Sequence, residues 1–119
     1  MNVLIVDGST VRRRIVNRAF RGSDFAVDDV LECDSAERAI GILESTQVHV
    51  LVCDRNLPQD GAGILMDYLR SAPASPSFLL LGDRHDGRDL FGPAGRGRVD
   101  GWLSSRPSAE DVALQLASC

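Results

Sequence analysis

The sequence predicts an α/β fold in which a parallel β-sheet carries helices on both faces. Apolar runs of strand length alternate with segments whose apolar residues recur at helical spacing, and this order is typical of right-handed βαβ units. Two of the runs, residues 3–6 and 48–53, are largely apolar at consecutive positions, as strands buried on both faces are. The 119 residues, 44% of them hydrophobic, suffice for one domain, which we expect to span residues 1–119.

The first strand and helix are the clearest of these elements. The strand at residues 3–6 leads directly to Asp7, and Ser9 is a suitable N-cap for a helix that Gly22 ends. The helical spacing is carried by five apolar residues: Val11, Ile15, Val16, Ala19 and Phe20.

The next strand, residues 25–33, is more polar and is expected near an edge of the sheet. Asp34 and Glu37 have the spacing of a capping box, which predicts the start of the second helix. The third strand, residues 48–53, ends at Asp54.

The second half adds a third helix, two strands and a last helix. The strands are predicted at residues 77–81 and 99–103, and Ser108 with Asp111 forms a capping box that opens the last helix. The third helix follows a loop and is indicated by its apolar residues: Ile64, Leu65, Tyr68 and Leu69. Residues 83–98 are rich in glycine, so we expect a short, frayed helix around residues 86–91 and then a loop.

Composition excludes several classes of function. The formal net charge of −4 argues against nucleic-acid binding, which favours a basic surface. No apolar run reaches the ~18–20 residues of a membrane span, and the N-terminus lacks the features of a signal peptide, so we expect a cytoplasmic protein without a membrane partner. Three cysteines and two histidines without ligand spacing argue against a disulfide framework and a zinc site.

All 13 basic residues are arginines. Chemistry that depends on a lysine ammonium is therefore excluded, whatever the cause of this composition. Five of the arginines crowd the first helix, where they form either a solvated face or a docking surface for an acidic partner: Arg12, Arg13, Arg14, Arg18 and Arg21.

Two carboxylates stand at the ends of the two most apolar strands. Asp7 follows the first strand and Asp54 the third. If those strands are neighbours in the sheet, the two side chains converge in the crevice at the carboxyl ends of the strands, where oxygen ligands suit Mg2+. The alternative is that each aspartate only caps the turn that follows it.

At these motifs the chain resembles the receiver domains of response regulators, the CheY-like family. Residues 2–9 (NVLIVDGS), followed by Arg12 and Arg13, resemble the family's opening, and residues 50–58 (VLVCDRNLP) resemble its phosphoacceptor segment. The resemblance covers the whole chain. It implies a flavodoxin-like, doubly wound (βα)5 sheet with strand order 2-1-3-4-5 and, in residues 83–98, a shortened or disordered fourth helix.

The resemblance also implies roles for individual residues. Asp54 would be the phosphoacceptor, taking a phosphoryl group from a phosphohistidine on a histidine kinase or histidine phosphotransfer protein. Asp7, Asp54 and the backbone carbonyl of Asn56 would bind Mg2+, which would neutralise the charge of the transition state. Trp102 fits the position of the family's switch aromatic, with simple core packing as the alternative. Because the family's hydroxyl and lysine are absent, we favour a fixed position or a constitutive contact for this side chain.

The chain departs from the family pattern at three functional positions. Gly8 stands where the family has a second acid. Leu81 or Gly82, depending on register, stands where the family has a hydroxyl that contacts the phosphoryl group. Ser105 stands where it has a lysine, and Arg106 follows one residue late.

Two smaller departures accompany these. If Gly82 takes the hydroxyl position, Asp83 takes the next one, where a carboxylate would repel an incoming phosphate. The loop at residues 58–61 is one residue shorter than usual.

We therefore interpret the chain as an atypical, degenerate receiver. It would act mainly by contact with a histidine kinase, a phosphotransfer protein or another signalling protein, with weak or vestigial phosphorylation at Asp54 and weak or absent Mg2+ binding. The alternative is a conventional phospho-switch or phosphate sink. An independent metal-dependent enzyme is the third hypothesis, and we do not favour it because Asp83 is the only further candidate for a general acid. A homodimer is left open.

Overall fold

A computed structural model describes residues 1–72, 75–82 and 99–118 of the chain. The elements alternate in the predicted order: β1 (Asn2–Val6), α1 (Thr10–Arg21), β2 (Asp29–Cys33), α2 (Ala36–Ser45), β3 (Val50–Asp54), α3 (Gly61–Arg70), β4 (Ser77–Leu81), β5 (Gly101–Leu103) and α4 (Ala109–Ser118). The five strands form one parallel sheet in the order β2-β1-β3-β4-β5. The predicted α/β class and the strand order 2-1-3-4-5 are thereby confirmed.

Side chains alternate between two apolar cores, one on each face of the sheet. Leu4 and Leu51 point to the core beneath α2 and α3, whereas Ile5 and Val52 point to the core beneath α1 and α4. Helices therefore cover both faces of the sheet. This explains why the central strands are apolar at consecutive positions, since each face of these strands is buried.

Three predicted strand boundaries are wrong by two to four residues: β2 begins at Asp29, β3 at Val50 and β5 at Gly101. Before β5, the Asp100 carboxylate accepts a hydrogen bond from the amide of Phe78 at 2.8 Å. A side chain thus takes the place of the backbone acceptor that a longer strand would provide.

The predicted helix caps are correct at two helices and wrong at one. Ser9 caps α1 by accepting from the Arg12 amide, and Ser108 and Asp111 form the expected reciprocal capping box at the start of α4. At α2 the cap is Ser35, whose hydroxyl accepts from the Arg38 amide at 3.2 Å. Asp34 is not the cap, because it lies one residue earlier and pairs with the Arg38 side chain instead.

The loop before α3 contains two consecutive residues in the left-handed region, Gln59 with φ 60° and Asp60 with φ 57°. The chain then enters α3 at Gly61, where a Cβ atom would lie 2.4 Å from Leu57 Cδ2. The short helix expected around residues 86–91 lies outside the described residues. Within the described part of the chain, no helix is long and apolar enough to cross a membrane.

Candidate acidic site at the carboxyl ends of the strands

Asp7 and Asp54 lie at the same edge of the sheet. The residues before them, Val6 and Cys53, are paired between the neighbouring strands β1 and β3. Asp7 is 0% exposed and Asp54 8%, and among the described residues they are the only charged side chains classed as buried. The condition for the predicted convergence, that the first and third strands are neighbours, is met.

A single guanidinium bridges the two carboxylates. Arg12 donates to both oxygens of Asp7, from Nε to Oδ2 at 2.9 Å and from Nη2 to Oδ1 at 3.0 Å. Its Nη2 also donates to Oδ2 of Asp54 at 3.3 Å. The pKa of Arg12 is raised, chiefly by the hydrogen bond to Asp7 and against the desolvation of the guanidinium, so the side chain is always charged.

Each aspartate also caps the turn that follows it. Asp7 Oδ1 accepts from the amide of Ser9 at 2.8 Å, and Asp54 Oδ1 accepts from the amide of Asn56 at 3.0 Å. Every oxygen of the two carboxylates therefore accepts at least one hydrogen bond. The two aspartates therefore converge in one crevice and also cap the turns that follow them, so both explanations suggested by the sequence apply.

The N-terminus of α1 brings Arg12 to the acids. Because Ser9 is the N-cap, Arg12 lies in the first helical turn, where the helix dipole disfavours a positive charge. The two carboxylates compensate this unfavourable position. Arg13 is also held within the fold: it donates to the backbone carbonyl of Asp7, and its Nε lies 3.0 Å from Glu32 Oε1. These two of the five arginines on α1 are therefore engaged within the fold.

A cavity of about 440 Å3 opens beside the acid pair. It brings together most of the positions that the sequence singled out for a phosphoryl site, and its described lining comprises Gly8, Arg12, Asp54, Arg55, Asn56, Pro58, Leu81, Gly82 and Ser105. A larger cavity, of about 770 Å3, lies away from this site, between the C-terminal ends of α2 and α3, and contains neither aspartate.

Leu81 and Gly82, the two candidates for the family's hydroxyl position, differ in their surroundings. Both residues border the cavity, but the side chain of Leu81 belongs to the core beneath α1 and α4, whereas Gly82 follows the rung that pairs Asp54 with Leu81. Gly82 has φ +134°, which side chains rarely adopt, and a Cβ there would lie 2.6 Å from Arg55 Cδ. The Arg55 side chain thus occupies the space that a side chain at position 82 would need.

Gly8 differs from Gly82 because it has room for a side chain. A Cβ atom on Gly8 would meet nothing within 4 Å. The missing second acid is therefore not explained by a steric constraint on the backbone at this position.

The arrangement does not fit a divalent cation between the two aspartates. Mg2+ needs oxygen ligands with free lone pairs directed at one point, and here the Arg12 guanidinium occupies that point. Gly8 supplies no side-chain oxygen, and the described residues contain no group of three His, Cys, Asp or Glu side chains arranged to hold a metal ion.

Trp102 does not line the described part of the cavity. It is half-buried against the core beneath α2 and α3, and its amide donates to Gln115 Oε1 at 3.3 Å. Its role as a switch aromatic stays a prediction, and so do the roles assigned to Asp54 and Asn56.

The sequence did not single out Arg12 or Arg55 as parts of the site. The available signal was electrostatic: a basic residue in the first turn of a helix, with no acidic residue in that turn, needs compensation from elsewhere. Two strand-end aspartates nearby in the fold supply it. Arg55 left no comparable signal in the sequence, since its proximity to Gly82 is seen only in the folded chain.

No family model matches the sequence, and no curated protein matches it. Among solved structures, the CheY-like receiver domain from Methylobacillus flagellatus is similar, with a TM-score of 0.79 and 18% identity over 99% of this chain and 97% of that one. The chemotaxis response regulator CheY4 of Vibrio cholerae has a TM-score of 0.70 and 18% identity over 98% and 95%.

A third similar structure is the signal receiver domain of an HD domain-containing protein from Pseudomonas fluorescens, with a TM-score of 0.71 and 19% identity over 98% of this chain and 90% of that one. Likeness at these identities establishes the fold. The chain has the fold of CheY-like receiver domains over nearly its whole length.

Proposed function

We propose that this chain is an atypical receiver-type module of two-component signalling. It would act mainly by binding a partner protein, either a histidine kinase, a histidine phosphotransfer protein or another signalling protein. Asp54 would be a weak or vestigial phosphoacceptor. The observation that carries this proposal is the lining of the cavity at Asp54 as far as the structure describes it: this lining includes Gly8, Gly82 and Ser105 and offers neither a second acid, nor a hydroxyl on β4, nor an amine.

The chemistry of phosphoryl transfer supports the proposal that Asp54 accepts a phosphoryl group only weakly. An oxygen of Asp54 would attack the phosphorus of the donor in line with the bond to the histidine nitrogen, which breaks as the new P–O bond forms. Both oxygens of Asp54 accept hydrogen bonds, one from Arg12 and one from the Asn56 amide, and these bonds reduce the availability of their lone pairs. The developing charge on the phosphoryl oxygens also needs cationic groups that are free to receive it.

We further propose that the module has no independent turnover. Hydrolysis of a phosphate ester would require a general acid for the leaving group besides the nucleophile. Among the described residues that line the cavity, Asp54 is the only carboxylic acid, and none is a histidine. The module would therefore transmit a signal through its surface and not through a reaction product.

Intact-mass spectrometry after incubation with Mg2+ and acetyl phosphate tests the proposal. We expect substoichiometric addition of one phosphoryl group under conditions in which a conventional receiver, run in parallel, is fully modified. Any addition should disappear in Asp54→Asn and persist in Asp24→Asn, because Asp24 is an exposed acid outside the cavity. Rapid stoichiometric labelling that depends on Asp54 would overturn the proposal in favour of a conventional phospho-switch or phosphate sink.

A further inference from the structure

We infer that Arg12 is a resident cation that takes the place of a divalent metal ion between Asp7 and Asp54. The acid pair is neutralised from within the chain, and a metal ion can enter only when the Arg12 side chain leaves. This inference concerns the chemistry of the acid pair and holds whether or not the chain binds a signalling partner.

The hydrogen bonds of Arg12 have the geometry that such a role requires. The planar guanidinium donates through Nε and Nη2 to the two oxygens of Asp7, a side-on, two-bond pairing that a lysine or a spherical ion does not reproduce. The same Nη2 reaches Asp54 Oδ2, so one side chain spans both carboxylates. The remaining acceptor position, Asp54 Oδ1, is filled by the Asn56 amide.

The charges make binding of Arg12 and of a metal ion mutually exclusive. Asp7 and Asp54 together carry two negative charges, and Arg12 contributes one positive charge at hydrogen-bonding distance. A divalent ion added beside Arg12 would leave a net positive charge in a largely buried site and would place two cations within a few ångströms of one another. Removing Arg12 without replacement would leave the fully buried Asp7 without a counter-ion.

Replacement of the Arg12 guanidinium by a metal ion is sterically possible because the Arg12 side chain is not enclosed. Its side chain is 42% exposed, so it can move into solvent while the helix stays in place. The position of Arg12 in the first turn of α1 does not by itself favour the cation, since the helix dipole opposes it. The two carboxylates are what hold the guanidinium at this point.

Mn2+ binding, followed by loss of the electron paramagnetic resonance signal of the free ion, tests the inference without a phosphodonor or a partner. Arg12→Ala should bind Mn2+ at least about tenfold more tightly than the wild type, because it frees two carboxylates and removes a like charge. Gly8→Asp in the Arg12→Ala background should tighten binding further, since the site at Gly8 has room for a side chain.

Two variants serve as controls for the tighter Mn2+ binding expected of Arg12→Ala. Arg14→Ala, which removes an exposed arginine from the same helix, should bind Mn2+ as the wild type does. Adding Asp54→Asn to Arg12→Ala should abolish the gain. Wild type that binds Mn2+ as tightly as Arg12→Ala, or a gain that persists without Asp54, would overturn the inference.

Wild-type protein also gives a direct measurement if Arg12→Ala does not fold. The Nε–Hε resonance of Arg12 in a nitrogen-15-labelled sample should be unchanged by millimolar Mg2+, because the guanidinium keeps its place between the carboxylates. A progressive shift of this resonance with Mg2+ would show that ordinary metal concentrations displace Arg12, so that Arg12 is not the resident cation of the acid pair, and would overturn the inference. Because no phosphoryl group is involved, this result is independent of the phosphorylation test.

Discussion

The guanidinium of Arg12 hydrogen-bonds both oxygens of the Asp7 carboxylate, at 2.9 Å through Nε and 3.0 Å through Nη2. Asp7 is fully buried at the end of β1, and Arg12 lies in the first turn of α1. The pair therefore fixes the start of the helix against the end of the strand. It also determines the charge next to Asp54, the residue on which any phosphorylation would depend.

Breaking this pair should destabilise the fold. We expect Arg12→Met to lower the free energy of unfolding by about 2 kcal/mol, below the range for a fully buried pair because the Arg12 side chain is 42% exposed. Asp7→Asn should also be destabilising. The double variant should lose about 1–2 kcal/mol less than the sum of the two single losses, because each single change removes the same interaction. Urea denaturation of the four proteins gives these values.

Arg14→Met is the matched control, since Arg14 is exposed on the same helix and makes no described ion pair. It should change stability by less than about 0.5 kcal/mol. Strictly additive losses in the Asp7 and Arg12 variants would contradict the prediction, because they would show that the two side chains do not stabilise one another.

The backbone at Gly82 predicts that a side chain cannot be restored there without cost. Gly82→Ala should destabilise the protein by about 1–3 kcal/mol, because φ +134° is strained for any L side chain and the new Cβ would meet Arg55. Gly41→Ala is the matched control: Gly41 lies within α2, and a Cβ there meets nothing within 4 Å, so alanine should stabilise by about 0.5–1 kcal/mol. Opposite signs in thermal denaturation are expected, and a neutral Gly82→Ala would contradict the prediction.

The left-handed backbone at Gln59 predicts that a glycine at this position would stabilise the folded protein. Gln59→Gly should raise the free energy of unfolding by about 0.5–1 kcal/mol, because relief of the left-handed backbone outweighs the added entropy of the unfolded chain. Gln47→Gly is the control at another exposed glutamine, one with no positive φ, and it should be neutral or destabilising. Equal effects of the two substitutions on the urea midpoint would show that Gln59 carries no strain.

The sequence predicted the alternation of strands and helices because this depends on patterns within each segment, whereas the strand order in the sheet was implied by the resemblance to receiver domains. Consecutive apolar residues in β1 and β3 require two covered faces, and Asp7 follows β1 and Asp54 ends β3 wherever these strands lie in the sheet. The contact of Arg12 with Asp54 joins positions 42 residues apart and depends on the angle at which α1 leaves the sheet. No pattern within a segment encodes that angle. The sequence also does not distinguish Arg12 from the other four arginines of α1.

The N-cap of α2 is a second feature that patterns within one segment do not determine. Asp34 and Ser35 are both good N-cap residues, and the spacing of Asp34 to Glu37 favoured the wrong one. The choice depends on which residue takes the extended backbone after β2, and this is decided by the length of that strand. Strand ends are set by pairing with a neighbour, which a single segment does not contain.

The thiol of Cys53 provides a prediction about pH. Burial raises its pKa well above the ordinary value, and the neighbouring carboxylates of Asp54 and Asp7 raise it further. The folded protein therefore keeps this thiol protonated at pH values where the unfolded chain has begun to lose the proton. A group of this kind contributes stability that is fully present below its unfolded pKa and is lost as pH rises toward its folded pKa.

Stability should therefore fall as pH is raised above about 8.5, the unfolded pKa of cysteine, with a slope approaching about 1.4 kcal/mol per pH unit for this thiol. Cys53→Val should be less stable or equal at pH 7 but show a shallower decline between about pH 8.5 and 10. The half-buried Cys33, whose pKa is raised mainly by burial, should contribute a smaller part of the slope, so Cys33→Val is the control. No lysine contributes to this slope, because all 13 basic side chains are arginines. Parallel slopes for wild type and Cys53→Val would contradict the prediction, because they would show that the Cys53 thiol has the same pKa in the folded protein as in the unfolded chain.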